Sequence, residues 1–268
     1  MAVSLSLTGK TALITGGSRG IGAETVRLFT QAGARVAFNY RQAKDRAEAL
    51  VDECAELDLS PGPATVAIGQ ELSTPAEGRA LVEKAVAELG RLDILVVNHG
   101  IWPPADAPIA TMAESQWRRT LGVNLDSVFG LVQAAVAQMQ HQNRPDPSQP
   151  AGHIVLISST AGQRGEAFHA DYAVTKGALI SLTKSLSTEL APRGIQVNCV
   201  APGWVATEMS ATALEDAETG QKIAAGIPVG RAAHPREIAG PVLFLCTPLA
   251  GFISGEVLNV NGGAVLAG

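Results

Sequence analysis

The sequence predicts an α/β fold, a doubly wound parallel seven-stranded sheet in a single domain. Short apolar runs alternate with helix-length amphipathic segments along the chain, which is the pattern of parallel strands joined by crossover helices. A glycine-rich turn follows the first apolar run and leads directly into a helical pattern. The length of 268 residues, 46% of them hydrophobic, suits one domain with a sizeable core.

The predicted elements alternate from one end of the chain to the other. Runs of branched apolar residues indicate strands, and apolar residues three or four apart indicate helices. The strands are expected at residues 10–15, 35–39, 64–68, 93–98, 153–158, 196–201 and 257–260, and the main helices at residues 22–31, 43–57, 75–89, 127–140, 172–190 and 235–246. Residues 143–150, NRPDPSQP, fit a surface loop, and the alanine-rich segment 206–226 is predicted to form a substrate lid.

Composition excludes several classes of function. The net charge of −5 provides no general attraction for nucleic acid or for an anionic membrane. The three cysteines are widely separated and have neither metal-ligand spacing nor a disulfide pattern. The first ten residues, MAVSLSLTGK, lack the features of a signal peptide, and the apolar runs are too short to span a bilayer. We therefore expect a cytoplasmic protein without a metal.

The first turn has the composition of a phosphate-binding loop. It reads TGGSRGIG at residues 15–22, with glycines at positions 16, 20 and 22. Such glycines permit a tight turn and close approach of a pyrophosphate, while the helix N-terminus supplies free N–H groups. Ordinary strand–helix turns also use glycine, but the position in the first strand–turn–helix unit favours dinucleotide binding. No Gly-Lys-Ser/Thr follows, so the turn is not a P-loop.

The segment DYAVTKG holds Tyr172, one of only two tyrosines, four residues before Lys176. In a helix this spacing places both side chains on one face. Such pairs are common on helix surfaces and usually have no catalytic role. Alternatively, the cation lowers the pKa of the phenol, which is ordinarily about 10, and allows proton exchange with an alcohol or carbonyl oxygen near neutral pH.

Seven stretches in a fixed order resemble the motifs of the short-chain dehydrogenase/reductase family. Besides TGGSRGIG and YAVTK, they are LDILVVNHG at 92–100, VNLDSVF at 123–129, IVLISS at 154–159, APGWVAT at 201–207 and NVNGG at 259–263. The overall pattern is similar to that of 3-oxoacyl-(acyl-carrier-protein) reductases. The resemblance covers nearly the full chain and implies a Rossmann-like fold and a nicotinamide cofactor.

The resemblance also implies a catalytic set of Asn124, Ser159, Tyr172 and Lys176. Tyr172 would act as general acid and base, and Ser159 would hydrogen-bond the substrate oxygen. Lys176 would hold the nicotinamide ribose and lower the pKa of Tyr172, and Asn124 would anchor a water in the proton relay. Hydride transfer leaves negative charge on a carbonyl oxygen, so two hydroxyl donors should converge there.

The same resemblance implies the contacts to the cofactor. Tyr172 and Lys176, which belong to the catalytic set, would also contact the cofactor. Thr207 and the backbone near Val205 would hold the nicotinamide carboxamide. The remaining expected cofactor-binding residues are Gly16, Ser18, Arg19, Gly20, Ile21, Gly22, Tyr40, Arg41, Leu72, Asn98, Gly100, Pro202 and Gly203.

Four features depart from the family pattern, one of which is the longer loop at residues 143–150, interpreted as a neutral surface insertion. Val97-Asn98-His99-Gly100 stands where the family has Asn-Asn-Ala-Gly, and His99 is interpreted either as a second proton-handling group or as a hydrogen-bonded structural residue. Glu71 stands near the usual Asp of the third strand and is a candidate contact to the adenine. Asn261 replaces a commoner Asp, which is a conservative change.

The second strand predicts the choice of cofactor. NAD-specific folds usually end this strand with an acidic residue that binds the ribose hydroxyls and repels a 2′-phosphate. Here that position is assigned to Asn39, followed by Tyr40 and Arg41, and Arg19 of the glycine-rich turn should point toward the same ribose. Two guanidinium groups without a carboxylate form a local anion site. We therefore expect NADPH to be preferred over NADH, unless both arginines are simply solvated.

The substrate pocket is expected between residues 101–108 and the lid. Trp102, Trp204 and Met209 would make it apolar, or they serve only in packing. His169 faces the cleft or a subunit contact, or is an ordinary loop histidine. A homotetramer is expected from the family resemblance and from the leucines of the 172–190 helix, namely Leu179, Leu182, Leu186 and Leu190.

Three interpretations of function follow from the sequence. The first is an NADP(H)-dependent oxidoreductase that interconverts a carbonyl and a secondary alcohol, with 3-oxoacyl thioesters as the leading substrate class. The second is a sugar, polyol or steroid alcohol dehydrogenase. The third is a nucleotide-sensing protein without catalysis, against which the intact Asn124, Ser159, Tyr172 and Lys176 argue.

Overall fold

A computed structural model describes residues 5–57, 65–143 and 149–266. It contains one parallel sheet with the strand order β3-β2-β1-β4-β5-β6-β7. The strands β1 to β7 are Thr11–Ile14, Arg35–Tyr40, Thr65–Gly69, Ile94–Val97, Gly152–Ile157, Ile195–Pro202 and Val257–Val260. The predicted sheet is therefore confirmed. Residue 64 of the predicted third strand and residues 144–148 of the predicted loop lie outside the described residues.

Ten α-helices are found in the described residues. The helices α1 to α10 are Gly20–Gln31, Lys44–Leu57, Pro75–Leu89, Glu114–Leu121, Ser127–His141, Thr160–Arg164, Ala170–Leu190, Ala211–Glu215, Ala217–Ala225 and Pro235–Leu245. A π-helical turn, Gly122–Asp126, joins α4 to α5. The sequence did not predict α4, α6, α8 and α9. Helix α4 buries only Thr120 and so has no apolar stripe, and α6 and α8 have five residues each, which is too short for a periodic pattern.

Helices cover both faces of the sheet, and each face has its own apolar core. Helices α1, α2 and α10 pack on one face, where Phe29 and Phe38 are fully buried. Helices α3, α5 and α7 pack on the other face around residues such as Leu81 and Leu131. Because strands buried on both faces read as continuous apolar runs, the sheet could be predicted without an alternating pattern.

Helix α3 shows how local sequence sets its boundaries. Thr74 accepts a hydrogen bond from the Glu77 N–H at 3.3 Å, and the Glu77 carboxylate accepts one from the Thr74 N–H at 2.9 Å. This capping box satisfies two N–H groups at the helix start, and Pro75 follows at the first helical position. Gly90 ends the helix in the left-handed conformation, with φ of 80°.

Among the described residues, one helical run is long and apolar enough to cross a membrane by length and composition. It covers Glu114–His141 and includes α4, the π-helical turn and α5. Its α5 portion contributes Val128, Leu131 and Met139 to the core under the sheet. The run is therefore a core helix of this fold.

The strand order creates a crevice at the carboxyl ends of the strands. The chain moves from β1 outward to β2 and β3 and then returns to β4 on the other side of β1. Because the loops after β1 and β4 leave in opposite directions, they open a crevice between them, which is where such sheets bind ligands. The glycine-rich turn after β1 and the Asn98-His99 segment after β4 both meet at this point.

Candidate active site

A cleft of about 390 Å³ lies at the carboxyl ends of the strands. Residues that follow β1, β2, β3, β4, β5 and β6 line it, as does the N-terminus of α1. Nearly all of the residues predicted to bind the cofactor or to act in catalysis contribute to its walls. The two exceptions are Gly22, which lies under the turn, and Asn124, which is buried behind the wall.

The turn after β1 fits a dinucleotide pyrophosphate. Gly16 has a φ of 64°, and a Cβ atom at this position would lie 3.0 Å from the Cα atom of His99. A Cβ atom at Gly22 would lie only 2.1 Å from the Gly16 carbonyl oxygen. The N-cap of α1, Arg19, makes no capping hydrogen bond through its side chain. The turn is thus closely packed from below, while the first N–H groups of α1 are left for an anion.

Thr15 connects the glycine-rich turn to the segment after β4. Its hydroxyl group accepts a hydrogen bond from the Asn98 N–H at 2.9 Å and lies 2.8 Å from Nδ1 of His99. The Asn98 side chain donates to the Thr15 and Gly16 carbonyl oxygens at 3.0 and 3.2 Å. These bonds hold the two walls of the crevice at a fixed separation.

His99 has a hydrogen-bonded structural role. Its Nε2 atom lies 3.1 Å from the Val123 carbonyl oxygen and 2.9 Å from the Ser127 hydroxyl group, so both ring nitrogens have partners. Burial and the nearby Lys176 ammonium lower the pKa of His99 to about 4. The ring is therefore neutral near pH 7, and of its two predicted roles the structural one agrees with these contacts.

Ser159, Tyr172 and Lys176 converge at the end of β5. The Ser159 hydroxyl group accepts a hydrogen bond from the Ala161 N–H at 3.1 Å, and it lies close enough to the Tyr172 hydroxyl group to act on the pKa of Tyr172. Lys176 donates from Nζ to the Ile157 carbonyl oxygen at 2.8 Å. Ser158 donates to the Lys176 carbonyl oxygen at 2.8 Å and so fixes α7 against the strand end. The three groups share one wall of the cleft.

The predicted lowering of the Tyr172 pKa is wrong for this structure. Burial raises the pKa of Tyr172 to about 12, although the hydrogen bond from Ser159 opposes this change. Burial also lowers the pKa of Lys176 to about 8. The Lys176 ammonium lies over the tyrosine ring, 5.7 Å from its centroid, and bonds to a backbone carbonyl. Desolvation therefore sets the direction of both pKa shifts.

Asn124 lies in the π-helical turn and is 1% exposed. Its side-chain oxygen accepts a hydrogen bond from the Ile101 N–H at 2.8 Å. Its amide group donates to the Ile101 carbonyl oxygen at 2.9 Å and to the Thr175 hydroxyl group at 3.2 Å. Both amide hydrogens are thus used within the protein, and the side chain connects α7 to the loop after β4.

The adenine end of the cleft differs from the prediction. Arg19 and Arg41 both line it, but each has a carboxylate partner: Arg19 lies 2.9 Å from Glu208, and Arg41 lies 3.7 Å from Glu71. The predicted anion site without a carboxylate is therefore wrong. The reason is tertiary, because Glu208 comes from a segment that is 189 positions away from Arg19 along the chain.

Asn39 is buried and serves the glycine-rich turn. Its side-chain oxygen accepts a hydrogen bond from the Gly16 N–H at 2.8 Å, and its amide donates to the Gln70 carbonyl oxygen at 2.9 Å. Only 3% of the residue is exposed. Tyr40 and Arg41, which follow at the mouth of the cleft, are therefore the residues of this strand end nearest to solvent.

The opposite end of the cleft is aromatic. Trp102 stacks on His169 with ring centroids 4.8 Å apart and meets Trp204 edge-on at 6.3 Å. His169 is 4% exposed, and its Nε2 atom lies 2.9 Å from the Pro103 carbonyl oxygen. Trp102 and Trp204 line the cleft as predicted, together with Met209. His169 is a buried partner of the Trp102 ring.

Four charged residues near the cleft were missed by the sequence analysis. Arg164 and Glu166 line its aromatic end, and burial raises the pKa of Glu166. Glu208 and Arg46 form an ion pair at its adenine end. Arg164 and Glu166 could have been found from the sequence, because they lie between Ser159 and Tyr172. No local signal marks Glu208 or Arg46, because their pairing depends on the fold.

Comparison with known proteins identifies the family. The family model described as "Enoyl-(Acyl carrier protein) reductase" matches residues 16–265. The 3-oxoacyl-(acyl-carrier-protein) reductase of Staphylococcus aureus is 37% identical over 254 residues, which are 95% of this chain and 97% of that protein. The chain belongs to the short-chain dehydrogenase/reductase family.

Solved structures of similar proteins share the fold of this short-chain dehydrogenase/reductase. A putative NAD(P)-dependent gluconate 5-dehydrogenase from Beutenbergia cavernae, with bound NADP, has a TM-score of 0.86 and 35% identity, covering 97% of this chain and 98% of its own. A 3-ketoacyl-(acyl-carrier-protein) reductase from Brucella melitensis, complexed with NADH, has a TM-score of 0.86 and 32% identity, covering 97% of this chain and 100% of its own.

Membership in the family establishes the class of reaction. This short-chain dehydrogenase/reductase is an oxidoreductase that acts on CH–OH and carbonyl groups with a nicotinamide dinucleotide. The two similar structures carry NADP and NADH respectively. The preference between these cofactors therefore depends on local residues and does not follow from the fold.

Proposed function

We propose that this enzyme is an NADPH-dependent carbonyl reductase whose leading substrate class is 3-oxoacyl thioesters. The convergence of Ser159, Tyr172 and Lys176 on one wall of the cleft is the observation that carries the proposal. The similarity to the Staphylococcus aureus 3-oxoacyl-(acyl-carrier-protein) reductase supports the substrate class.

The glycine-rich turn, Asn98, Gly100 and residues Pro202–Thr207 would hold the dinucleotide, which supplies the hydride when bound. Thr207 comes close to the turn, since a Cβ atom at Gly20 would lie 3.2 Å from its Cγ2 atom. Lys176 is the donor nearest to Gly100, at 3.5 Å from a Cβ atom built there, and would hold the nicotinamide ribose.

Ser159 and Tyr172 would bind the substrate oxygen. Both residues line the cleft, and Ser159 lies close enough to Tyr172 to act on its pKa, so an oxygen placed beside one hydroxyl group should be in reach of the other. Because the pKa of Tyr172 is about 12, the phenol is protonated near pH 7 and is ready to donate its proton to a developing alkoxide. This protonation state suits the reductive direction.

Asn124 would act as a positioning residue. Its hydrogen bonds to Ile101 and Thr175 hold the loop after β4 against α7. The water that the proton relay requires would lie near this residue and Lys176. The position of α7, which carries Tyr172 and Lys176, therefore depends on Asn124, with or without a water bound to this residue.

Three arginines support a preference for NADPH. Arg19 and Arg41 line the adenine end of the cleft, and Arg46 lies beside Arg19 through their common partner Glu208. A guanidinium group forms charge-assisted hydrogen bonds to a phosphate. No carboxylate stands at the end of β2, where Tyr40 is the last residue of the strand. The expected result is a lower KM for NADPH than for NADH.

A sugar or polyol dehydrogenase is the second candidate function. Arg164 and Glu166 line the aromatic end of the cleft and offer polar partners for hydroxyl groups. The Beutenbergia cavernae protein described as a putative gluconate 5-dehydrogenase is similar over nearly the full chain. Trp102, Trp204 and Met209 favour the less polar thioesters instead.

We also propose that residues 206–226 form a lid, that the enzyme is a homotetramer, and that it works in the cytoplasm. In support of a lid, helices α8 and α9 contain no buried residue. In support of assembly, Phe129 on α5 and Val174 on α7 are 55% and 49% exposed. The three buried cysteines agree with a reducing compartment.

A substrate panel tests the proposed function. The N-acetylcysteamine thioester of 3-oxobutanoate, simple cyclic ketones and gluconate-type sugar acids would each be assayed with NADPH and NADH, or with the oxidised forms. We expect the highest kcat/KM for the 3-oxoacyl thioester with NADPH. A higher value for a sugar acid with the oxidised cofactor would favour the second candidate, and no turnover on any member would contradict both.

A further inference from the structure

Glu208 lies between two guanidinium groups at the mouth of the cleft. One carboxylate oxygen accepts a hydrogen bond from Nη1 of Arg19 at 2.9 Å, and the other accepts one from Nη1 of Arg46. Arg19 belongs to the glycine-rich turn, Arg46 to the start of α2, and Glu208 to the start of the lid segment. One carboxylate therefore connects three elements that meet at the adenine end.

This arrangement already places an anion on the arginines that a 2′-phosphate requires. Carboxylate and phosphate oxygens make the same kind of charge-assisted hydrogen bond to a guanidinium group. The side chains of Arg19, Arg46 and Glu208 are 62%, 58% and 48% exposed, so an anion from solution can reach them. Exposed ion pairs of this kind are weak, and a dianionic phosphate can displace the carboxylate.

We propose that Glu208 is a specificity-determining residue for the dinucleotide, because its carboxylate competes with the adenosine 2′-phosphate for Arg19 and Arg46. The inference rests on the NADPH preference proposed above and refines it. With Glu208 in place, NADPH must displace the carboxylate before its phosphate gains both arginines. NADH has no 2′-phosphate and leaves the ion pairs intact.

The second ion pair at this end of the cleft is looser. Arg41 lies 3.7 Å from Glu71, beyond the usual length of a hydrogen bond, and both side chains are exposed. The contact of Glu71 with Arg41 is therefore weaker than the contact of Glu208 with Arg19. Glu208 is therefore the acidic residue that limits phosphate binding most.

Glu208 also connects the adenine end to the lid. It follows Thr207, whose side chain reaches Gly20 of the turn, and it precedes helices α8 and α9. Displacement of its carboxylate removes the contact that holds the first residues of the lid segment to Arg19 and Arg46. Binding of the phosphate is in this way coupled to the start of the lid.

The test is a binding measurement on the full chain. Dissociation constants for NADPH and NADH would be measured from the quenching of tryptophan fluorescence, to which Trp102 and Trp204 in the cleft contribute, and those of 2′-phospho-AMP and AMP by calorimetry. The variant is Glu208→Gln, which keeps the shape of the side chain and removes its charge. The matched control is Glu218→Gln, which removes one charge from α9, where Glu218 pairs with Lys222 at 2.6 Å.

We expect Glu208→Gln to lower the Kd for NADPH and for 2′-phospho-AMP by about three- to tenfold, the range that loss of weak exposed ion pairs implies. The Kd values for NADH and AMP should change less than twofold, and Glu218→Gln should leave all four nearly unchanged. Thermal unfolding would verify that both variants are folded.

Two results would overturn the inference: an unchanged NADPH-to-NADH ratio in Glu208→Gln, or an equal tightening of NADPH in Glu218→Gln. Equal affinity of the unmodified protein for NADPH and NADH would contradict the proposed cofactor preference instead. In that case a shift of the ratio toward NADPH in Glu208→Gln would still support the role of Glu208.

Discussion

At the scale of single residues, burial decides the protonation states around the cleft. Tyr172 and Lys176 are held on one helix turn, and desolvation keeps the phenol protonated with a pKa of about 12. The same effect brings the pKa of Lys176 to about 8, so the ammonium is still mostly charged at pH 7. A protonated phenol beside a cation is the state that a proton donor for carbonyl reduction requires.

The first prediction concerns Tyr172. Replacement by Phe removes the hydroxyl group that we propose donates this proton, so kcat should fall at least about a hundredfold, within the range typical of general acid catalysis. The Kd for NADPH should change little, because the ring and the Ser159 and Lys176 positions remain. Steady-state kinetics and fluorescence titration measure the two quantities. A Phe variant that keeps most of its activity would rule out the proposed mechanism.

The second prediction concerns stability in acid. His153 on β5 is 6% exposed, and burial lowers its pKa to about 4. Between pH 6.5 and 4 the unfolded chain therefore binds a proton that the folded chain does not, so stability falls as the pH falls through this window. At pH 5 this one residue should cost about 2 kcal/mol relative to pH 7.5. His99, with a pKa of about 4, adds a similar loss.

The measurement is Tm at pH 7.5 and at pH 5.0 by calorimetry. In His153→Gln the decrease in Tm from pH 7.5 to pH 5.0 should be clearly smaller than in the unmodified protein, whatever the absolute Tm of the variant. The control is His141→Gln, which changes an exposed histidine at the end of α5. An equal decrease in His153→Gln and in the unmodified protein would contradict the prediction.

At the scale of elements, two glycines allow α3 and α5 to touch. A Cβ atom at Gly130 would lie 2.0 Å from the Pro75 carbonyl oxygen, and one at Gly78 would lie 2.3 Å from the Ser127 carbonyl oxygen. The obstructing atoms belong to the backbone and cannot move aside alone. The contact therefore requires glycine on both helices.

The third prediction compares two helical glycines. Gly130→Ala should lower the free energy of unfolding by at least about 1–3 kcal/mol, the usual cost of overpacking, because α3 and α5 must separate. Gly240 on α10 has no atom within 4 Å of a built Cβ apart from its chain neighbours, one of which is Pro241. Gly240→Ala should therefore change the same quantity by less than about 1 kcal/mol, because the entropic gain of Ala is opposed by crowding against the proline ring. Urea unfolding measures both. If the two variants were equally stable, the proposed contact would not limit packing.

At the scale of the whole molecule, the leucines of α7 serve mainly the core. Leu179 and Leu190 are 2% and 1% exposed, and Leu182 and Leu186 pack against the same core. The exposed apolar side chains on the two helices expected at the interface are instead Phe129 and Val174. We therefore expect Phe129 and Val174, and not the leucines, at a tetramer interface.

The fourth prediction concerns assembly. Light scattering at micromolar concentration should give the mass of a tetramer, and the double variant Phe129→Glu, Val174→Glu should give a smaller species because it buries charges at the interface. Ala49→Glu, which adds a charge to the exposed side of α2, is the control and should stay tetrameric. A monomeric unmodified protein would contradict the proposal.

The sequence by itself determined the fold of this protein. Buried parallel strands must be apolar and crossover helices must be amphipathic, so the seven strands and six main helices were visible from local composition. The short helices α6 and α8 and the polar α4 were not, because a pattern needs more turns, or more buried side chains, than they have. Most residues of the cleft were visible because they directly follow strands.

Only the tertiary structure decided the charges in the cleft. The pKa of Tyr172 depends on how fully the fold removes its side chain from water, which raises it. The spacing to Lys176 in the sequence had predicted a lowered pKa instead. Arg19 and Arg46 share one partner, Glu208, which is 189 and 162 positions away from them along the chain. Desolvation and ion pairing depend on distances in space, which spacing along a sequence does not specify.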